Sequence, residues 1–131
     1  MSGPIVIIDQ SEIRTGKLTE LIGAMKKLVE LAQMNEPRMI AYQVYFNTSG
    51  NHMTVLQVHP DSASAEFHLQ VAGSAFSGFI EYLKMSGIDI YGTPSPILLE
   101  RLRRKAHMLG GDGVVAHELQ EGFDRFPTPG A

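Results

Sequence analysis

The sequence has no cysteine, which removes disulfides, thiolate metal sites and a cysteine nucleophile together. It has no charge excess either: 14 acidic and 11 basic residues leave a formal charge of −3, so no overall field draws the chain to nucleic acid or to an anionic membrane. No run of residues approaches the roughly 18 apolar positions of a membrane span, and no basic segment with a long apolar stretch opens the chain. There is no phosphate loop, no Gly-x-Ser-x-Gly elbow and no His-Glu-x-x-His, and Gly110-Gly111-Asp112-Gly113 reads only as a flexible turn. These absences point to a soluble, cytoplasmic protein with no nucleic-acid partner and no membrane partner. In that compartment the sequon Asn47-Thr48-Ser49 carries no consequence.

What is present is enough chain for about one domain with a real core, since the protein has 131 residues. Pro4 to Gln10 is a β-branched strand with apolar residues on both faces: Ile5 and Ile7 on one, Val6 and Ile8 on the other. Leu18, Leu21, Ile22, Met25, Leu28, Val29 and Ala32 recur at helical spacing to about Met34, with Thr15 as a candidate N-cap. Asn35-Glu36-Pro37-Arg38 stops that helix, because a residue before proline is disfavoured in helical geometry. Met39 to Asn47 and Met53 to His59 read as a hairpin across Thr48-Ser49-Gly50-Asn51, and Pro60 ends it.

Asp61 or Ser62 caps a second helix whose stripe runs through Ala65, Leu69, Ala72, Phe76, Phe79, Ile80 and Leu83, with Gly73 and Gly78 as places where it can divide. Ile88 to Tyr91 is a short fourth strand. Ser95 and Pro96 then start a basic third helix to Met108. Beyond Leu109 the composition predicts an irregular tail with an apolar patch at Val114, Val115 and Ala116.

The order is β-α-β-β-α-β with an extension, the ferredoxin-like α+β plan with an antiparallel sheet. The expected organisation is a ferredoxin-like domain over residues 1–92 followed by a helical extension and tail over 93–131. Such a sheet carries its helices on one face. Its other face here is also apolar, so a homodimer with sheets face to face is expected.

Chemistry concentrates at the end of strand three and the start of helix two, His59-Pro60-Asp61-Ser62-Ala63-Ser64-Ala65-Glu66-Phe67-His68-Leu69. His68 lies beside the apolar stripe and is the candidate general base, its ordinary pKa of about 6.5 being suited to proton removal near neutrality; the structural alternative is a packing histidine that holds a backbone carbonyl. His59 shares a strand face with Gln57, Val55 and Met53, so it lines the same pocket if that face looks toward the helices. The His59-to-His68 spacing is not a metal-ligand pattern, even with Asp61 or Glu66 added, so no metal is expected. Tyr42, Tyr45, Tyr82 and Tyr91 can stack on an aromatic ligand or simply fill core and interface. The basic run Arg101, Arg103, Arg104, Lys105 and His107 reads as a solvated face or a clasp for a partner subunit.

Three stretches resemble a known family: Ile13-Arg14-Thr15-Gly16-Lys17, Asn35 through Tyr45, and Glu66-Phe67-His68-Leu69 followed by Ser74-Ala75-Phe76 and Phe79. They are similar to the dimeric α+β barrel proteins of the antibiotic biosynthesis monooxygenase type, over roughly residues 4 to 92. That resemblance implies a cofactor-independent oxygenase acting on a hydrophobic, quinol-like aromatic molecule, with His68 as base and His59, Tyr42, Gln43, Gln10 and Tyr82 shaping the substrate pocket. His59 stands where relatives often carry tryptophan, a residue this chain lacks altogether. Positions corresponding to the haem-degrading branch's asparagine, tryptophan and histidine hold Gln10 or a neighbour, His68 and Gly78, so haem is not implied. These departures favour the second reading, a non-catalytic dimeric module that binds a small hydrophobic ligand or a protein partner.

Overall fold

The computed structural model describes residues 3–127. Its elements follow in the order β1 (Ile5–Ile13), α1 (Leu18–Asn35), β2 (Ala41–Phe46), β3 (His52–His59), α2 (Ser62–Phe76), a 3-10 turn (Ser77–Glu81), β4 (Leu83–Tyr91), α3 (Pro96–Met108) and β5 (Val114–His117). The strands form one sheet in the order β2-β3-β1-β4-β5. The first four pair antiparallel, while β5 lies parallel to β4. This is the ferredoxin-like arrangement with one added strand. Among the described residues no helix is long and apolar enough to cross a membrane.

Register assigns the two faces. Ile7 of β1 stands opposite Gln57 and Ile90, and Gln57 opposite Tyr42, so these four share a face. That face carries Ile5, Ile7, Asp9, Ser11 and Ile13 inward from β1, all of them buried under the helices. A β-bulge interrupts the β1–β4 pairing, which passes from Gln10 opposite Gly87 to Ser11 opposite Met85. The extra residue keeps Leu83 and Met85 on the same side as Ile88 and Ile90, and all four are buried. The outer face holds Val6, Ile8, Gln10, Thr54, Leu56, Gln43 and Tyr45.

Each helix buries a stripe: Leu21, Met25, Leu28 and Ala32 from α1; Ala65, Leu69, Ala72 and Phe76 from α2; Leu98, Leu102 and Ala106 from α3. The α2 cap is Asp61, which accepts the Ser64 N–H at 2.9 Å, and the α3 cap is Ser95, which accepts the Leu98 N–H at 3.0 Å. At α1 the residue before the helix is Lys17, without a side-chain cap, so Thr15 does not serve.

Four local expectations differ. The first strand extends beyond Gln10 to Ile13, because Ser11 and Ile13 continue the inward alternation. Helix two stops at Phe76, close to Gly78; Phe79 and Ile80 then belong to the 3-10 turn and Leu83 to β4. The fourth strand is accordingly longer than Ile88–Tyr91. The apolar patch at Val114 is not irregular, because it adds β5 to the sheet edge.

Candidate functional site

Two buried polar stations interrupt the apolar interior, and Tyr42 stands between them. The first is built where α1 ends. Glu36 closes that helix with its own N–H on the Ala32 carbonyl at 2.8 Å, and Pro37 turns the chain away. Two residues on, Arg38 reaches both carboxylate oxygens of Asp61, with Nη1 on Oδ1 at 3.1 Å. The loop after α1 is thereby tied to the N-terminus of α2. The ion pair and the cap bond hold the Asp61 carboxyl below its ordinary range.

This tie places Glu36, 5% exposed, against His68 on the second turn of α2, which is fully buried. His68 Nδ1 lies 2.9 Å from each carboxylate oxygen. A carboxylate only accepts, so Nδ1 carries the hydrogen and donates it. In the neutral ring Nε2 then keeps its lone pair. Nε2 is buried and has no hydrogen-bond partner among the described residues. The edge of Tyr42 packs on the imidazole at 4.9 Å between centroids and 73° between planes. Burial, with the Asp9 and Glu36 carboxylates nearby, pushes the Tyr42 phenol above its usual range, so it stays a neutral donor.

His59 is also fully buried, 6.0 Å from the His68 ring. Its Nε2–H donates to Gln57 Oε1 at 3.0 Å, and its Nδ1 accepts the Ser64 hydroxyl at 2.9 Å. Both nitrogens are therefore engaged. Burial, then the neighbouring His68 and Lys105, lower its pKa to about 3, with Asp61 opposing. His59 is a neutral, fixed ring rather than a base.

The second station lies deeper. Asp9 projects inward from β1, and Lys105 reaches it from α3 with Nζ 2.7 Å from Oδ2. Both side chains are below a tenth exposed. The ammonium also sits 4.7 Å from the centroid of Phe76. Among the described residues Asp9 Oδ1 and the hydroxyl of Ser11 have no partner, an arrangement that costs about 1–3 kcal/mol per group when nothing satisfies it. A cavity of about 30 Å³ opens beside them, walled by Asp9, Ser11, Tyr42, Lys105 and apolar side chains including Met25, Met53 and Phe76. His59 and His68 are not part of its wall. On the outer side of Tyr42 an open groove of about 380 Å³ runs along Glu36, Pro37, Ile40 and Gln33. Tyr42 thus forms a partition shared by cavity and groove.

Of the residues singled out from sequence, His68, His59 and Tyr42 come together. Gln10 and Gln43 lie on the opposite sheet face, where Gln10 accepts from His52 at 3.0 Å and Gln43 accepts the Tyr45 hydroxyl at 3.1 Å. Tyr82 is half-buried near the 3-10 turn, edge-on to Phe79. Glu36, Asp9, Ser11 and Lys105 were not singled out. Two of them carried a signal: Asp9 continues the Ile5 and Ile7 alternation, and Lys105 falls three residues after Leu102 and seven after Leu98, on the apolar stripe of its helix. Among the described residues no group of three or more His, Asp or Glu side chains is arranged to hold a metal ion.

No protein-family model matches the sequence, and no curated protein matches it significantly. Solved structures do match. MupZ from Pseudomonas fluorescens superposes with a TM-score of 0.74 at 21% identity over 95% of this chain and 91% of its own. A conserved protein from Methanosarcina mazei gives 0.61 at 22% over 72% and 95%. A Caulobacter crescentus protein provisionally assigned as an antibiotic biosynthesis monooxygenase gives 0.62 at 16% over 68% and 88%. At these identities the likeness is one of fold, and two of the matched structures are named as provisionally assigned antibiotic biosynthesis monooxygenases.

Proposed function

We propose that the protein is a small, cofactor-independent monooxygenase-like enzyme acting on a hydrophobic, quinol-like aromatic molecule, with His68 as general base. The observation that carries this reading is the Glu36–His68 pair: a carboxylate fixes Nδ1–H, which leaves the lone pair of Nε2 buried and without a hydrogen-bond partner among the described residues. Nε2 removes a proton from the bound substrate, and the electron-rich anion reduces dioxygen while a carbon–oxygen bond forms. The peroxide anion takes that proton back from the His68 imidazolium, and the hydroperoxide then loses water to leave a carbonyl, so dioxygen is the one co-reactant. The chain has to bind, orient, deprotonate and exclude bulk water. Tyr42, between groove and cavity, is the side chain that must turn aside for a substrate to reach Nε2. The protein works as a homodimer, its partner covering the outer sheet face around Val6, Ile8 and Leu56.

Oxygen uptake over a panel of quinols and anthrones tests this. His68→Gln is expected to lower kcat by about 10²–10⁴, and Glu36→Gln by less, because it removes the orienting charge and leaves the base. Unchanged turnover in His68→Gln refutes the assignment of the base.

A second reading, a non-catalytic module that binds a small hydrophobic ligand or a protein partner, is favoured by one observation. A cavity of about 30 Å³ is room for about two waters rather than an aromatic ring. Failure of the unaltered protein to turn over any panel member supports it.

A further inference from the structure

The inward face of β1 is apolar except at Asp9 and Ser11, in the middle of the sheet. Asp9 is 4% exposed and Ser11 1%, yet Asp9 Oδ1 and Ser11 Oγ are without partners among the described residues. Buried polar atoms left in that condition call for an explanation. Both residues line the same cavity, together with Lys105, which carries three N–H donors and gives one of them to Asp9 Oδ2. We propose that this cavity is a hydroxyl-recognition site: it takes the O–H of an otherwise apolar ligand, the hydroxyl donating to Asp9 Oδ1 and accepting from Ser11 Oγ–H or Lys105 Nζ.

The chemistry of the lining selects that group. An ionised carboxylate accepts only, an ammonium donates only, and a serine hydroxyl does either. A ligand atom that satisfies all three must both donate and accept, which a hydroxyl does and an ether, amide carbonyl or alkyl group does not. The opposite charges of Asp9 and Lys105 balance, so neither ligand charge is favoured. A carboxylate would meet Asp9, and an amine would meet Lys105. The remaining walls are apolar and include Met25, Met53 and Met85, unbranched side chains able to rearrange around a guest. At about 30 Å³ the resting cavity has room for about two waters, enough for a ligand hydroxyl but not for the ring that carries it. The site deepens the oxygenase reading, on which its role rests, because it would anchor a phenol or alcohol on one side of Tyr42, whose ring edge packs on His68.

The test is binding, not turnover. Phenol and toluene differ only in the hydroxyl, and each can be titrated into the full-length, ¹⁵N-labelled protein while the amide signals of Asp9, Ser11 and Tyr42 are followed. Phenol is expected to give saturable shifts there with affinity at least about tenfold above toluene. Ser11→Ala and Asp9→Asn should each lower phenol affinity toward that of toluene and leave toluene binding unchanged. Ser11→Ala, the milder change, keeps the test available if Asp9→Asn fails to fold. Benzoate is expected to bind no better than toluene; tighter binding would make Lys105 an anion site and overturn the proposal. Equal affinity for phenol and toluene, saturable shifts confined to other amides, no saturable binding of phenol, or unchanged phenol affinity in Ser11→Ala also overturns it. Unaltered protein that binds phenol by these criteria but turns over no quinol or anthrone keeps this site and removes the oxygenase reading, so loss of that reading and loss of this site give different results.

Discussion

Replacing Lys105 with methionine separates the electrostatic role of this side chain from its packing. Methionine keeps an unbranched apolar stem, and its sulfur can stay against the Phe76 ring, so the ring contact at 4.7 Å is largely conserved in kind. What disappears is the cation 2.7 Å from Asp9 Oδ2. Asp9 is 4% exposed and its other oxygen already lacks a partner, so the variant holds an uncompensated buried carboxylate. Breaking a buried pair in this way costs about 3–5 kcal/mol. With an unfolding entropy near 2.1 cal/mol/K per residue, each kcal/mol moves the midpoint of a chain this long by roughly 3–4 °C, so Tm should fall by roughly 11–18 °C. The double variant Asp9→Leu with Lys105→Met removes the stranded charge and lets the adjacent cavity take the added volume. It should return to within about 1 kcal/mol of the parent. Urea and thermal unfolding followed by circular dichroism measure both. A loss under about 1 kcal/mol in the single variant, or a double variant as unstable as the single, would refute the reasoning.

Three more outcomes are expected. His59 is held near a pKa of about 3 in the fold but titrates near 6.5 once unfolded; between these values the unfolded chain binds a proton that the folded one refuses. Stability should therefore be complete above about pH 6.5 and decline as pH falls toward 3, by at most about 1.4 kcal/mol per unit, and His59→Gln should flatten that decline; urea midpoints unchanged from pH 7 to pH 5 would contradict it. Asp61→Ala removes both the α2 cap and the exposed Arg38 pair, for a loss of about 1–2 kcal/mol in urea unfolding, and should weaken the downfield Nδ1–H signal of His68 by loosening the loop that carries Glu36. Leu56→Lys on the outer sheet face should convert the proposed homodimer to a monomer in analytical ultracentrifugation, and a parent protein that already sediments as a monomer at micromolar concentration would remove the dimer.

Much of the fold was legible because its signals are local. Asp61, and Ser95 with Pro96, announce their helices by side-chain chemistry that acts within three residues. The hairpin turn is organised by Asn47, whose side-chain oxygen accepts from the amides of Asn51 and His52, and Gly50 supplies a positive φ of 70°. The end of helix two was not legible, since Phe79, Ile80 and Leu83 keep helical spacing although the chain has already left the helix. The phase of β1 was hidden for a related reason. With Ile5, Val6, Ile7 and Ile8 all apolar, period two does not say which face turns to the helices, and Gln10 lies on the face away from them. Glu36 was read as part of a helix stop, which it is; its second use depends on Arg38 gripping Asp61, 23 residues away. Lys105 was grouped with its charged neighbours, although its position on the Leu98–Leu102 stripe sets it apart.

The extension completes the interior of this chain. Asp9 and Lys105 are 96 residues apart in sequence. A ferredoxin-like core ending near residue 92 would leave Asp9 without its cation in the centre of the sheet. The coverage of the structural neighbours follows the same division. The Methanosarcina and Caulobacter proteins match 72% and 68% of the chain, close to the share of the ferredoxin-like part alone, whereas a 95% match to MupZ cannot be reached without α3 and the residues after it. Glu36, His68 and Tyr42 belong to the common core, and Lys105 to the added helix. The Glu36–His68 pair is therefore complete within the first part of the chain, whereas the Asp9–Lys105 pair forms only when α3 packs on the sheet.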